Sequence, residues 1–97
     1  MQNKRRLALV TGGSQGIGRE ICLSLAEAKF NIVLINKTKE VEAQWTCEKI
    51  REKGVDANYF LQDLTQLTKV QELIKTIRNT IGPVDVLVNN AAIFDPK

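Results

Sequence analysis

Four short runs rich in apolar residues alternate along the chain with longer stretches in which apolar and polar residues are mixed. The runs predict β-strands at residues 7–10, 32–35, 57–61 and 84–88. The first two are apolar throughout, which is typical of strands buried on both faces of a parallel sheet. Because right-handed crossovers place helices over such a sheet, we expect successive β-α-β units.

The mixed stretches predict three helices, each with apolar residues at intervals of three or four positions. In the first helix, which begins near Gly16, these residues form one face: Ile17, Ile21, Leu25 and Ala28.

The second helix shows a shorter set of apolar residues, Val41, Cys47 and Ile50. Thr38 is its predicted N-terminal cap and Gly54 its stop. The third helix ends before Gly82 and carries the longest stripe: Leu67, Val70, Ile74, Ile77 and Ile81.

A glycine-rich segment, residues 11–18, joins the first strand directly to the first helix. Glycine permits positive φ, so the backbone can bring its N–H groups against a ligand. The helix N-terminus adds unpaired donors and a partial positive charge. We therefore predict that this turn binds a phosphate or a pyrophosphate.

The residues after the turn separate the candidate nucleotide folds. Gly13 and Gly18 have the spacing of a P-loop, but Arg19 and Glu20 follow where Lys and then Ser or Thr are required. An NTPase is therefore not expected. The glycine order, Gly-x-x-x-Gly-x-Gly, is a variant of the common dinucleotide fingerprint.

Composition narrows the alternatives further. A chain of 97 residues with 43% hydrophobic and 26% charged residues fits one small domain, residues 1–97, with a thin core. Its net charge is +3, and it has one Trp and one Tyr to stack on bases. These features argue against nucleic-acid binding. The one basic cluster, Lys4-Arg5-Arg6, is interpreted as a solvated tail.

The sequence shows neither a secretion signal nor a typical metal-binding motif. The apolar run after the basic cluster ends after four residues, whereas a secretion signal needs about 7 to 15. Cys22 and Cys47 fall on separate predicted helices, and the chain has no histidine. We expect no metal site and no membrane contact, and a reducing cytoplasm as the location.

At this point the chain resembles the short-chain dehydrogenase/reductase family. Residues 11–18 match the family's Thr-Gly-x-x-x-Gly-x-Gly segment without a gap, and residues 89–92 are the counterpart of its Asn-Asn-Ala-Gly element. Asp63-Leu64 matches the Asp and apolar residue that follow the third strand and lie against the adenine. Ala92 replaces the family's last glycine. The resemblance covers essentially the whole chain and is strongest to the 3-oxoacyl-carrier-protein reductase type.

The resemblance implies an α/β fold of the Rossmann type, a doubly wound parallel sheet with strand order 3-2-1-4. The nucleotide would cross the carboxyl ends of the strands where this order reverses. The chain would be the N-terminal part of such a domain, truncated after the fourth strand. The catalytic half would then be absent from it.

The end of the second strand bears on the cofactor. NAD selection usually places Asp or Glu about 20 residues beyond the glycine turn, whereas this chain has Asn36 followed by Lys37. Without the carboxylate a 2′-phosphate is not repelled, and Lys37 attracts it, so we expect NADP(H) over NAD(H). A solvated helix start is the alternative for Lys37 and Lys39. Gln15 stands where many NADP-preferring relatives carry Arg or Lys.

Together the turn and the resemblance give one predicted cofactor site. Its residues are Thr11, Gly12, Ser14, Gln15, Gly16, Ile17, Gly18, Asn36, Lys37, Asp63, Leu64, Asn90, Ala91 and Ala92. Asp63 has an alternative role as a capping residue of the third helix. For Arg19, a contact with the pyrophosphate and a surface position remain equal alternatives.

Catalysis is a separate matter. The family's proton donor is a tyrosine with a lysine four positions later, but Tyr59 is followed at that spacing by Asp63. We expect no catalytic residue here and no activity of this chain alone. The first hypothesis is the NADP(H)-binding part of an oxidoreductase, acting on a carbonyl or alcohol and homo-oligomeric at full length. The alternative is a non-catalytic dinucleotide-binding module or interaction fragment.

Overall fold

A computed structural model describes residues 5–90 of the chain. Strands and helices alternate over this range in the order β1 (Leu7–Thr11), α1 (Gly16–Glu27), β2 (Asn31–Asn36), α2 (Glu40–Arg51), β3 (Ala57–Leu61), α3 (Leu67–Thr80) and β4 (Val86–Asn89). The predicted strands and helices are thus confirmed. The bounds of β1, β2 and β4 differ from the predicted ones by one or two residues.

The strands form one parallel sheet in the order β3-β2-β1-β4, as predicted. In the register of the central strand, Ala8 lies opposite Ile32 of β2 and Val86 of β4. The chain therefore proceeds from β1 to β3 on one side and then returns to the other side for β4. The order reverses between β1 and β4, where an open α/β sheet leaves a crevice at its carboxyl ends.

Both faces of the sheet are covered, because successive residues of a strand point to opposite sides. On one face, Ala8 and Val10 pack with Cys22 of α1 and Cys47 of α2. On the other, Leu7 and Leu9 pack with Ile77 of α3. The fold is a three-layer sandwich, with α1 and α2 on one side and α3 on the other.

The predicted apolar face of α1 is wrong. The buried residues of this helix are Gly18, Cys22 and Ala26, whereas Ile17 is 73% exposed. Small side chains let the helix lie close to β1 and the glycine turn, whereas Leu25 of the predicted face is only partly buried against the same cluster. Periodicity identified the helix correctly but selected the neighbouring face.

The predicted cap of α2 is also wrong. The helix begins at Glu40, and its N-cap residue is Lys39, at a φ of 71° and without a side-chain capping hydrogen bond. Acidic residues in the first turn, Glu40 and Glu42, favour this terminus through the helix dipole. The predicted stop is confirmed, since Gly54 has a φ of 90° and its N–H donates to the Arg51 carbonyl across 2.9 Å.

The apolar stripe of α3 is confirmed in its middle. Ile77 is fully buried, and Ile74 packs against the same cluster. Leu67 and Ile81, at the two ends of the stripe, are exposed. The cluster beneath the helix is built from residues of the two central strands, and the middle of α3 covers it.

Candidate functional site

The turn between β1 and α1 has the backbone that its sequence predicts. Gly12 and Gly16 have φ angles of 70° and 61°, in the left-handed region that favours glycine. Gln15 is the N-cap residue of α1, with no side-chain capping hydrogen bond, and the first turn contains no acidic residue. The first amides of a helix have no acceptor within it. The turn therefore presents backbone donors and the positive end of the helix dipole.

Gly18 brings α1 against this turn. A Cβ at this position would collide with the Gly12 carbonyl oxygen and would lie 2.8 Å from Asn90 Nδ2. Position 18 thus requires glycine for its lack of a side chain. The close approach carries the start of α1 to the carboxyl end of the central strand.

The end of β4 is tied to the same turn. Asn90 Nδ2 donates to the Gly12 carbonyl oxygen at 3.1 Å, and Thr11 Oγ1 donates to Asn89 Oδ1 at 3.0 Å. These contacts give Thr11 and Asn90 a role in holding the two strand ends together. The predicted site residues Ala91 and Ala92 lie outside the described residues.

A cleft of about 430 Å³ opens beside the turn, at the carboxyl ends of β2 and β3. It brings together seven of the predicted cofactor residues, Gly12, Ser14, Gln15, Asn36, Lys37, Asp63 and Leu64. Gly16 and Ile17 instead border a separate, largely apolar groove along the outer side of α1. The turn and the end of β2 therefore face one common space.

Asn36, at the floor of this cleft, has an unusual side chain. It is 6% exposed, and within residues 5–90 its Oδ1 is a buried oxygen without a hydrogen-bond partner. Its backbone carbonyl accepts from Gln62 N at 2.8 Å, so the backbone is bonded although the amide oxygen is not. Leaving a buried polar atom unpaired costs free energy, and such an atom needs an explanation.

Lys37 and Asp63 face each other across the mouth of the cleft. Lys37 Nζ lies 3.7 Å from Asp63 Oδ2, and the lysine side chain is 71% exposed. Asp63 Oδ1 accepts from the Thr65 amide at 2.9 Å and from its hydroxyl at 2.8 Å. These hydrogen bonds, and then the nearby charge of Lys37, lower the pKa of Asp63 below its ordinary value of 3.8.

The Asp63 contacts bear on its alternative role as a cap. They form a local turn before α3, whose N-cap residue is Gln66, so Asp63 itself is not the cap. Its second carboxylate oxygen faces Lys37 and borders the cleft. An ion pair this exposed is weak, so Lys37 stays available to a stronger anion.

Arg19 does not point outward from α1. Its guanidinium donates to the Ser14 carbonyl oxygen, from Nη2 at 2.6 Å and from Nε at 3.1 Å. It also lies over the Trp45 ring, with Cζ 4.4 Å from the ring centroid. Thr46 adds a bond to the same carbonyl at 2.8 Å. Sequence reasoning missed Thr46, because the residue is separated by 27 positions from Arg19 and nothing in its local pattern marks it.

Three features outside the cleft bear on function: the two thiols, possible metal ligands and the helices. Cys22 and Cys47 are buried free thiols, and burial raises their pKa values to about 12 and about 11. Across residues 5–90, no three His, Cys, Asp or Glu side chains gather in a group that could hold a metal ion. Within the same range, no helix combines the length and apolarity needed to cross a bilayer.

Comparison with known proteins identifies the family. Residues 6–97 match the family model described as short chain dehydrogenase. The chain therefore belongs to the short-chain dehydrogenase family, oxidoreductases with a dinucleotide-binding fold, and the predicted resemblance is confirmed.

Individual relatives agree with this assignment. The chain is 42% identical over 86 residues to a 3-oxoacyl-acyl-carrier-protein reductase, FabG, of Staphylococcus epidermidis, covering 89% of this chain and 35% of the reductase. It thus spans about a third of the length of this curated relative.

Two solved structures share the fold. A short-chain dehydrogenase/reductase of Sinorhizobium meliloti superimposes with a TM-score of 0.86 at 28% identity, over 99% of this chain and 46% of the other. An NAD⁺-bound xylitol dehydrogenase superimposes with a TM-score of 0.79 at 29% identity, over 84% of this chain and 31% of the other. The predicted Rossmann-type sheet is confirmed.

Proposed function

We propose that this chain binds a nicotinamide dinucleotide, NADP(H) in preference to NAD(H), as the cofactor-binding portion of an oxidoreductase. The diphosphate would lie on the amides of the β1–α1 turn, and the adenosine end would occupy the cleft. The observation that carries the proposal is the β1–α1 turn, where Gly12 and Gly16 have positive φ and the start of α1, without a side-chain cap, adjoins the cleft. Membership of the family supports the same ligand class.

The remaining residues of the proposed site have separable roles. Gly18 lets α1 approach the turn, and Asn90 holds the Gly12 carbonyl against β4. Asp63 and Leu64 border the part of the cleft assigned to the adenine. Bound nicotinamide would supply or accept the hydride. The chain's own residues would bind the cofactor and fix its orientation at the carboxyl ends of the strands.

The preference for NADP(H) rests on charge. Asn36 is neutral, so it does not repel a 2′-phosphate, and Lys37 carries an exposed ammonium group at the same edge of the cleft. Asp63 offsets part of that charge, although an exposed pair at 3.7 Å binds weakly. The NAD⁺ held by the related xylitol dehydrogenase makes NAD(H) the competing choice.

Calorimetric titration of the protein with NADPH and with NADH tests both parts of the proposal. We expect NADPH to bind about tenfold more tightly, which corresponds to about 1.4 kcal/mol. Lys37→Ala should remove the preference, and Asn36→Asp should reverse it by placing a carboxylate at the ribose. Lys69→Ala, an exposed lysine on α3, is the matched control. Binding of neither nucleotide would contradict the proposal.

For the whole protein, we propose a carbonyl or alcohol substrate, a homo-oligomeric state and a cytoplasmic location. The 97 residues contain no Tyr-x-x-x-Lys pair, which favours a non-catalytic dinucleotide-binding module as the second candidate for this chain. Turnover by the full-length protein separates the two candidates, because neither of them expects activity from these 97 residues alone. NADPH oxidation with a carbonyl substrate supports the reductase, and tight binding without oxidation supports the module.

A further inference from the structure

The Ser14 carbonyl, in the middle of the glycine turn, is held by more hydrogen bonds than a typical turn carbonyl. Arg19 Nη2 donates to this oxygen at 2.6 Å and Arg19 Nε at 3.1 Å, and Thr46 Oγ1 donates at 2.8 Å. Arg19 Nε also contacts Thr46 Oγ1 at 3.0 Å. Ser14 is 2% exposed and Thr46 is fully buried. The orientation of this carbonyl is therefore fixed from α1 and from α2 together.

The guanidinium of Arg19 also contacts an aromatic ring. Its Cζ lies 4.4 Å from the centroid of the Trp45 ring, and Lys49 Nζ lies 5.3 Å from that ring. A guanidinium stacked on an aromatic ring and bonded to a carbonyl is held in one place. Arg19 is thus placed to bind the turn itself, and the alternative of a direct pyrophosphate contact loses support.

The fixed carbonyl determines where the next amide points. In a planar trans peptide, the C=O of one residue and the N–H of the next point in opposite directions, and the described chain has no cis peptide bond. With the Ser14 oxygen directed to α2, the Gln15 N–H is directed away from α2. Ser14 and Gln15 both border the cleft. If this peptide turned over, it would present an oxygen, and so a partial negative charge, where a donor now stands.

We propose that Arg19 and Thr46 form a latch that holds the Ser14–Gln15 peptide with its N–H available to the diphosphate of the cofactor. This inference rests on the proposed function. Both residues are positioning residues, because they act through the Ser14 carbonyl. The latch also joins α2, which follows the Asn36–Lys37 end of the cleft, to the turn. It therefore fixes the two ends of the site relative to each other.

The latch makes a prediction that a direct contact does not. NADPH and NADH share the diphosphate and differ at the ribose 2′ position. Loss of the latch should weaken both nucleotides by the same factor, whereas loss of Lys37 should weaken NADPH alone. An equal loss of affinity for NADPH and NADH therefore identifies a residue that acts through the conformation of the turn.

Calorimetric titration of the protein with NADPH and with NADH tests the latch in four variants. Arg19→Ala removes two charge-assisted bonds to the Ser14 carbonyl and one to Thr46 Oγ1, and should weaken both nucleotides about tenfold. Thr46→Val removes the hydroxyl at constant shape and should weaken both about threefold. Thr46→Ser keeps the hydroxyl and should bind as the wild type does. Arg51→Ala is the matched control, because Arg51 Nη2 donates to the Ala57 carbonyl at 2.7 Å, outside the turn.

Circular dichroism and thermal unfolding establish that each variant is folded at the temperature of the titration. Should Arg19→Ala not fold, the comparison of nucleotide affinity between Thr46→Val and Thr46→Ser tests the latch.

Failure of both Arg19→Ala and Thr46→Val to fold would show a purely structural role and overturn the proposal. Unchanged binding by folded Arg19→Ala and Thr46→Val would overturn the latch while the proposed function stands. Weaker binding of NADPH with unchanged binding of NADH would also overturn the latch. If the wild type binds neither nucleotide, the proposed function fails, and the latch fails with it.

Discussion

The side-chain amide of Asn90 donates a hydrogen bond to the Gly12 carbonyl oxygen across 78 positions of the chain, at 3.1 Å. Gly12 is the first residue after β1, and Asn90 is the first residue after β4. The same carbonyl is the atom that a Cβ at position 18 would strike. One backbone oxygen is thus the meeting point of the glycine turn, the first helix and the fourth strand.

Removing the Asn90 amide should loosen this meeting point. Asn90→Ala leaves the Gly12 carbonyl without that donor, and we expect the free energy of unfolding to fall by about 1 kcal/mol. Urea unfolding followed by circular dichroism measures the change. Asn79→Ala, an exposed position on α3, serves as the control. Equal stabilities of Asn90→Ala and the control would contradict the assigned role.

A methyl group at position 18 should be more damaging. In Gly18→Ala the new Cβ meets the Gly12 carbonyl and the Asn90 amide, so α1 must move away from the turn. We expect a loss of about 1–3 kcal/mol in stability, together with weaker NADPH binding. Ser24→Ala on the exposed side of α1 is the matched change. A Gly18→Ala protein with wild-type stability and affinity would show that the close approach is dispensable.

The buried thiols should be inert in the folded protein. Burial raises the pKa of Cys22 from 9.0 to about 12, which lowers its thiolate fraction near pH 8 about a thousandfold. We expect Cys22 and Cys47 to react with a thiol reagent only after unfolding in urea. Time-resolved labelling followed by mass spectrometry measures this. Rapid labelling of either cysteine without denaturant would mean that the contact between α1 and α2 opens readily.

Asp63 should contribute to stability in a pH-dependent way. Its pKa is lowered in the folded state, first by the Thr65 hydrogen bonds and then by Lys37, so the folded protein favours the charged carboxylate. This contribution is complete above the ordinary pKa of 3.8 and is lost as the pH falls through the lower, folded-state pKa.

The Asp63→Asn variant separates this charge from the local turn, because the amide oxygen can still accept from Thr65. We expect the variant to be less stable than the wild type at about pH 6. The difference in stability should decrease as the pH falls below 3.8 and through the lower, folded-state pKa of Asp63. Thermal unfolding of both proteins as a function of pH provides the comparison. A difference that persisted or grew toward low pH would have the wrong sign for a lowered carboxyl pKa.

The alternation of strands and helices could be predicted because its determinants are local, whereas the order of the strands in the sheet was implied by the family resemblance. Apolar runs such as residues 32–35 specify buried strands, helical stretches separate them, and crossover handedness restricts the topology. The glycine turn was equally accessible, since Gly12 and Gly16 have the positive φ angles that their sequence positions require. The family resemblance followed from these local motifs.

Contacts between distant residues could not be predicted in the same way. The burial of Cys22 in place of Ile21 depends on how closely α1 approaches the sheet, and Gly18 sets that distance. The bond from Thr46 to the Ser14 carbonyl spans 32 positions and joins two helices on the same face. A periodic pattern reports that a face exists, but the packing partner decides which residues are buried.

The proposal that the β1–α1 turn holds the diphosphate can be tested directly by nuclear magnetic resonance. In a titration of ¹⁵N-labelled protein with NADPH, we expect the largest amide shifts at residues 15–18, with smaller shifts at Asn36 and Lys37 and unchanged signals along the exposed side of α3. Saturating NADPH that leaves the amides of residues 15–18 in place, while signals elsewhere move, would contradict the account.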